Sequence, residues 1–360
     1  MEALPAREPS TLPPRSEPVA ALDTPPEMGP PDPLLRTMPL PALEGEPPVE
    51  WIYCARCDTS ARAALFFCPI CGAALPAAAG LYETLTHEYE DMQSAERPKS
   101  ELAAFLGDGR RGPNWQAHGL SNKGRVRRNN EDSLLADVLP GSGWLLIVAD
   151  GMGGASAGEV ASQQTTAILR ELIENRIELD PDPATDHRPW LAQAIEQANS
   201  LLYHAQESNR QLRGMGTTAT AGIVQGLCLE LAHVGDSRCY RLPADGPLEQ
   251  LTIDHAIVAH LIRLGQITPE EGRRHPLRNQ LYRSVATAGT IEVDSTLHVL
   301  APADKLLFCS DGLTLHVEDA EIEQILRASP TPQMAARRLV DLTLERGAAD
   351  NVSVIVVMAG

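Results

Sequence analysis

The sequence predicts a domain of mixed strands and helices from about residue 115 to the end, with a small cysteine-paired module ahead of it. Three observations carry this expectation. Apolar runs of strand length, such as "LLIVAD" and "SVIVV", alternate with helical patterns near residues 157 to 175, 190 to 208, 319 to 328 and 332 to 346. The 360-residue chain is 43% hydrophobic, enough for one sizeable core and something smaller beside it. Four of the seven cysteines fall in two pairs between residues 54 and 71, a spacing unlike a secreted disulfide framework.

From the N-terminus, residues 1 to 49 hold 14 of the 29 prolines and no apolar periodicity. They read as a proline-rich disordered arm, a solvated tail or a docking ligand. In residues 50 to 76, Cys54 and Cys57 form one C-x-x-C and Cys68 and Cys71 a second. Two such turns can close the thiolate tetrahedron that one structural Zn²⁺ takes, with no position left open for catalysis. The module therefore reads as a zinc ribbon. The alternative, a redox dithiol pair, is the weaker one, because redox C-x-x-C motifs come singly within larger folds. Residues 77 to 114 are charged and only partly periodic, a linker with a short helix.

The chain carries 30 Lys and Arg against 48 Asp and Glu, a formal charge of −18. Nonspecific nucleic-acid binding needs a basic face, so no nucleic-acid partner is expected. An acidic balance suits a protein that holds divalent cations. No apolar run reaches membrane-spanning length, and "MEALPAREPS" has neither the basic nor the apolar region of a secretory signal. The expectation is a cytoplasmic protein without membrane association.

The chemistry concentrates where strands end. "WLLIVADGMGG" runs from an apolar strand into Asp150, and then into glycines that leave room beside the main chain. Such space suits a phosphate or a metal with its waters. Neither the P-loop nor the dinucleotide fingerprint fits glycines at 151, 153 and 154. A metal needs further carboxylates, and the same device recurs. Glu131 and Asp132 are adjacent in "GRVRRNNEDSLLAD", four residues after Arg127. Asp236 follows Gly235, Asp311 precedes Gly312, and Asp350 precedes Asn351 and the final strand. Each alone is ordinary turn chemistry. Together they form a set of hard oxygen donors that selects Mg²⁺ or Mn²⁺.

"RVRRNNED", "VADGMGG", "GMGTTATAGIV", "HVGDSR", "CSDGLT" and "ADNVSVIVV" stand in the order found in the metal-dependent type 2C protein phosphatases, bacterial type, and residues 115 to about 358 resemble that family. The resemblance implies an α+β fold, a four-layer α-β-β-α sandwich of two mainly antiparallel sheets flanked by helices. It implies a two-metal centre at one end of the sandwich, and hydrolysis of phosphoserine or phosphothreonine on proteins by a metal-bridged water. By the same resemblance, Asp150 bridges both metals, and the Gly151 carbonyl and Glu131 meet one of them, with Asp132 in support through water. Asp311 and Asp350 hold the other metal. Asp236 helps bind a third, weaker ion, and Arg127 grips the substrate phosphate, which a guanidinium fork suits. Two or three Mn²⁺ or Mg²⁺ are expected.

Three positions depart from the family pattern. Met152 replaces the His of many eukaryotic members, so leaving-group protonation falls to water or another group. Leu315 replaces a frequent acidic residue after "SDGLT", and "LYRSVATAG" replaces a Leu-Thr-Arg-Ala-Leu-Gly run. Residues 254 to 288 resemble the flap beside the active site. There Asp254-His255 opens a helical pattern, and Thr268 caps a second one with Pro269 at its first position. His255 and His275 read as structural, at a helix start and a His-Pro turn. Cys228, Cys239 and Cys309 sit in apolar runs and read as inert core residues.

Three functions compete. The first is an active protein serine/threonine phosphatase opposing a Ser/Thr kinase, likewise as the dedicated phosphatase of one phosphoprotein in signalling. The second is a pseudophosphatase that binds without reacting, which the complete ligand set disfavours. The third is a nucleic-acid adaptor, which a ribbon with only Arg56 and Arg62 as basic residues disfavours. A monomer is expected, with a protein partner for the ribbon as a further option.

Overall fold

The computed structural model describes residues 51–53, 60–62, 113–139, 143–153, 157–180 and 185–360. The proline-rich arm, the four paired cysteines and the linker up to residue 112 lie outside the described residues. Of the N-terminal module, β1 (Trp51–Tyr53) and β2 (Ser60–Arg62) are described, paired antiparallel with Trp51 opposite Arg62.

The remaining strands are β3 (Trp115–Asn122), β4 (Asp132–Leu139), β5 (Gly143–Met152), β6 (Gly216–Thr217), β7 (Ala219–Gln225), β8 (Cys228–Val234), β9 (Arg238–Leu242), β10 (Glu249–Gln250), β11 (Asp294–Val299), β12 (Lys305–Cys309) and β13 (Val352–Ala359). They form two antiparallel sheets, one ordered β10-β9-β12-β13-β3 and the other β11-β8-β7-β5-β4, with β6 beside the end of β5. The helices are α1 (Ala157–Leu179), α2 (Arg188–Ser208), α3 (Ile257–Arg263), α4 (Pro269–Arg274), α5 (Asp311–Thr314), α6 (Asp319–Ala328) and α7 (Pro332–Glu345).

The period-2 alternation of strands builds the layers. In β5, Leu145 and Ile147 pack with Ile168, Leu169, Leu191 and Ile195 of α1 and α2, while Leu146 and Val148 face the opposite way. In β12, Leu306 and Phe308 meet Leu146 and Val148 between the sheets, while Leu307 and Cys309 meet Leu339 and Val340 of α7. Val354 and Val356 of β13 face α7, and Ile355 and Val357 face the other sheet. The result is the expected four-layer sandwich. Antiparallel sheets commonly leave one face to water; central strands covered on both faces read instead as continuous apolar runs. Cys228, Cys239 and Cys309 are buried in these layers, as expected.

The capping at Thr268 is as the sequence suggests: its hydroxyl accepts from Glu271 N while Glu271 reaches back to the Thr268 amide. The helix expected to open at Asp254-His255 starts later, at Ile257. His255 N donates to Gly235 O (2.7 Å), His255 O accepts from Tyr282 N (2.9 Å), and Ala256 bridges Leu281. These residues spend their backbone on long-range bonds that a helix would need for itself.

Candidate metal centre

At one end of the sandwich β5, β8 and β12 finish while β4 and β13 begin, so residues far apart in sequence meet there. Asp150 lies opposite Asp132 in the β4–β5 register. Its amide donates to Thr218 Oγ1 (2.8 Å), and its carbonyl accepts from Thr218 N (2.9 Å) and Thr217 Oγ1 (2.8 Å). The backbone is thereby fixed and the carboxylate left unspent. Gly151 continues the strand, its amide donating to Glu131 O (3.1 Å), which also accepts from Ser162 Oγ. A Cβ at Gly151 would overlap the carbonyl oxygens of Gly158 and Glu131, so only glycine lets these three segments close up.

Asp311 opens α5 directly after β12. Asp236 follows Gly235, whose φ of +117° turns the chain from β8 toward β9. Asp132 is buried: its Oδ2 accepts from Ser310 Oγ (2.8 Å), while Oδ1 has no partner of hydrogen-bonding geometry among the described residues. The Asp150 and Asp311 carboxyl groups lie close enough to perturb each other.

The remaining acids sit on the loop between β3 and β4. Asn351, 3% exposed, clamps this loop with its whole side chain. Its Oδ1 accepts from Glu131 N (2.8 Å), and its Nδ2 donates to Lys123 O and Asn129 O (2.9 Å each). Arg127 Nη2 donates to Asp350 Oδ2 (2.6 Å), and Nη1 lies 3.6 Å from Glu131 Oε2. The Arg127 side chain is 46% exposed.

The electrostatics of this cluster are unfavourable as it stands. Burial, then the Asp132, Asp311 and Asp236 charges, hold the Asp150 carboxyl well above the usual carboxylate range. Burial and the neighbouring Asp311 and Asp254 raise Asp236, with Arg238 offsetting part of the rise. Burial and Asp350 raise Asp311, and burial raises Glu131. Asp132 is pushed up to about 7 by burial, the hydroxyls of Ser353 and Ser310 holding it back. Arg238 is committed elsewhere, forked onto Asp254 at 2.7 to 3.1 Å. Arg127 stays protonated: burial works against its charge, but the bond to Asp350 outweighs it.

No group of three or more His, Cys, Asp or Glu among the described residues is drawn into a closed ligand shell. The acids still lie close enough to raise one another's pKa, as like charges do. The set nevertheless fits a hard divalent ion: every donor is oxygen, the charges exceed what Arg127 neutralises, and Asp132 carries an orphaned buried oxygen. All the acids expected from the sequence reach this end of the sandwich. His255 is buried behind it against Gly235, and His275 follows α4, its Nδ1 accepting from Leu277 N (3.2 Å). Sequence reasoning missed Thr218, Ser162, Ser310 and Asn351. The Thr-Thr pair beside "GMG" and the Asn after Asp350 were the available signals.

A family model described as "Protein phosphatase 2C" matches residues 123–342. The chain is 42% identical over 238 residues to the serine/threonine protein phosphatase PstP of Mycobacterium tuberculosis, covering 66% of this chain and 43% of that one. It thus spans less than half the length of that relative. The serine/threonine phosphatase stp of Listeria innocua is 37% identical over 237 residues, 66% of this chain and 93% of its own. A crystal structure of the PstP catalytic domain in complex with two manganese ions superposes with a TM-score of 0.59 at 39% identity, covering 68% of this chain and 97% of that one.

Proposed function

The chain belongs to the protein phosphatase 2C family of serine/threonine protein phosphatases, and we propose that it hydrolyses phosphoserine and phosphothreonine on proteins with two or three Mn²⁺ or Mg²⁺ held at the strand ends. One observation carries the reading: buried, mutually repelling carboxylates converge where five strands begin or end, and cations would relieve that repulsion. The manganese pair in the PstP catalytic domain supports it. Asp150 would bridge two ions, the Gly151 carbonyl and Glu131 would join one, Asp311 and Asp350 the other, and Asp236 would serve a weaker third. When bound, the ions would supply an acidified water as nucleophile and offset phosphoryl charge.

The chain's own residues do the rest. Thr217 and Thr218 pin the Asp150 backbone, so the carboxylate is preorganised. Asn351 holds Glu131 and Arg127 on one loop. Arg127 is a half-exposed cation at the rim, and its fork would trade Asp350 for two phosphate oxygens. Met152 offers no proton, so the leaving serine or threonine would take its proton from water or another group.

The N-terminal segment, 50–76, is read as a zinc ribbon on Cys54, Cys57, Cys68 and Cys71. With the arm at 1–49, the linker at 77–114 and the catalytic domain at 115–360, the protein is read as a cytoplasmic monomer acting against a Ser/Thr kinase in signalling. The test is release of phosphate from a phosphothreonine peptide with Mn²⁺, with Mg²⁺ and with chelator. Metal-dependent turnover is expected; folded protein inert with every metal would favour a pseudophosphatase. Metal analysis should find one Zn²⁺ per chain, lost in Cys68→Ser.

A further inference from the structure

We propose that His255 is the positioning residue for Asp236, holding the turn that aims this carboxylate at the acidic cluster. The inference rests on the reading of Asp236 as the ligand of the weaker third ion.

His255 grips Gly235 from both sides of the residue. Its Nδ1 accepts from Gly235 N (3.1 Å), and its own backbone N–H donates to Gly235 O (2.7 Å). Gly235 has a φ of +117°, which side-chain-bearing residues rarely adopt, and a Cβ there would overlap the Thr218 side chain, so the turn needs glycine. Because a backbone amide can only donate, Nδ1 must be the acceptor. That fixes the neutral tautomer with the proton on Nε2. Nε2 lies 3.2 Å from Asp294 Oδ2, the acceptor that this tautomer requires. Arg283 Nη1, 3.2 Å from Nε2, donates to Asp294 Oδ1 (2.8 Å), and Nη2 donates to Glu292.

The other side of the turn is held separately. Ser237 Oγ bonds Thr218 Oγ1 (2.7 Å), and Ser237 O accepts from Thr220 Oγ1 (3.1 Å). Thr220 also meets His233, whose ring packs 4.9 Å from the ring of His255. Asp236 therefore sits between two anchored residues. His255 itself is 2% exposed with both ring nitrogens spent, so it has none left to protonate a leaving group. An outer residue that orients a ligand acts on affinity, typically by about 10- to 100-fold.

The experiment compares wild type with His255→Leu, His255→Asn, Asp294→Asn and Asp236→Ala. Mn²⁺ binding is measured by isothermal titration calorimetry, and exchange of the Gly235 amide by hydrogen–deuterium exchange. Expected is a weaker ion that loses affinity by about 10- to 100-fold in His255→Leu, with the two tighter ions retained. His255→Asn should restore both the ion and amide protection, because its Oδ1 can accept from Gly235 N–H. Asp294→Asn should fall between. An unchanged weaker ion in His255→Leu, or equal weakening of every ion without rescue by Asn, overturns the proposal. Should His255→Leu not fold, Asp294→Asn decides: unaltered binding and exchange there overturn it too. If Asp236→Ala loses no ion, the assignment of Asp236 as a ligand is what fails, and the proposal falls with it.

Discussion

Replacing Asn351 by Ala tests the link between the final strand and the loop that carries Glu131 and Arg127. Asn351 makes three hydrogen bonds at 2.8 to 2.9 Å to Glu131 N, Lys123 O and Asn129 O, and the residue is buried. Each such bond contributes about 1 kcal/mol net, so their loss costs about 3 kcal/mol, more if Glu131 N is left buried without a partner. Against a typical domain stability of about 5 to 15 kcal/mol this is a large fraction, and in a domain of this size it lowers Tm by about 6 to 12 °C. The functional loss follows from the same geometry, because Arg127 and Glu131 sit on the released loop. Urea unfolding gives the stability, and kcat/KM on a phosphothreonine peptide at saturating Mn²⁺ gives the function. Asn351→Asp is the control: it keeps the acceptor for Glu131 N but turns an oxygen toward two carbonyls, and should be no better than Ala. A loss below about 1 kcal/mol with unchanged kcat/KM would refute the reasoning.

Other expectations follow from the same contacts. Gly151→Ala places a methyl against the carbonyls of Gly158 and Glu131, and should abolish Mn²⁺-dependent activity and lower Tm, read by calorimetry. Arg127→Ala removes the rim cation; charged hydrogen bonds are worth about 1.5 to 3 kcal/mol, so kcat/KM should fall about 10- to 100-fold. His233 is buried, and its pKa is lowered to about 4, first by burial and then by the neighbouring His255, beside which a second imidazolium is disfavoured. Between about pH 4 and 6.5 the unfolded chain holds a proton there that the folded chain lacks, so stability rises with pH. The contribution is complete above about 6.5 and lost as pH falls toward 4, a span of about 3 kcal/mol. His233→Gln should flatten that part of a urea-unfolding pH profile. The acids behave oppositely: Asp132, raised to about 7, contributes most below about pH 4 and loses that contribution as pH rises through 7 in metal-free protein. Added Mn²⁺ should therefore raise Tm more at pH 7.5 than at pH 5.5.

The fold was legible because the central strands are covered on both faces. Leu145 to Val148, Leu306 to Cys309 and Val354 to Val357 read as unbroken apolar runs, and the Asp at or beside each strand end marked the site. The acids were legible because each follows or precedes a run of strand length. What supports them was not. Thr218 reaches Asp150 across 68 positions, Ser310 reaches Asp132 across 178, and Asn351 reaches Glu131 across 220. Such pairs depend on strand register and leave no local pattern. The late start of α3 has the same origin, since His255 and Ala256 bond to Gly235, Tyr282 and Leu281, which no helical periodicity encodes.

The most direct test of the central claim is Mn²⁺ stoichiometry and turnover measured together in wild type and Asp150→Asn. Wild-type protein should bind at least two Mn²⁺ per chain in equilibrium dialysis and release phosphate only when they are bound. Asp150→Asn, with its fold verified by circular dichroism, should lose the bridged pair and the turnover together. A folded Asp150→Asn that keeps both ions and hydrolyses phosphothreonine at the wild-type rate would contradict the account.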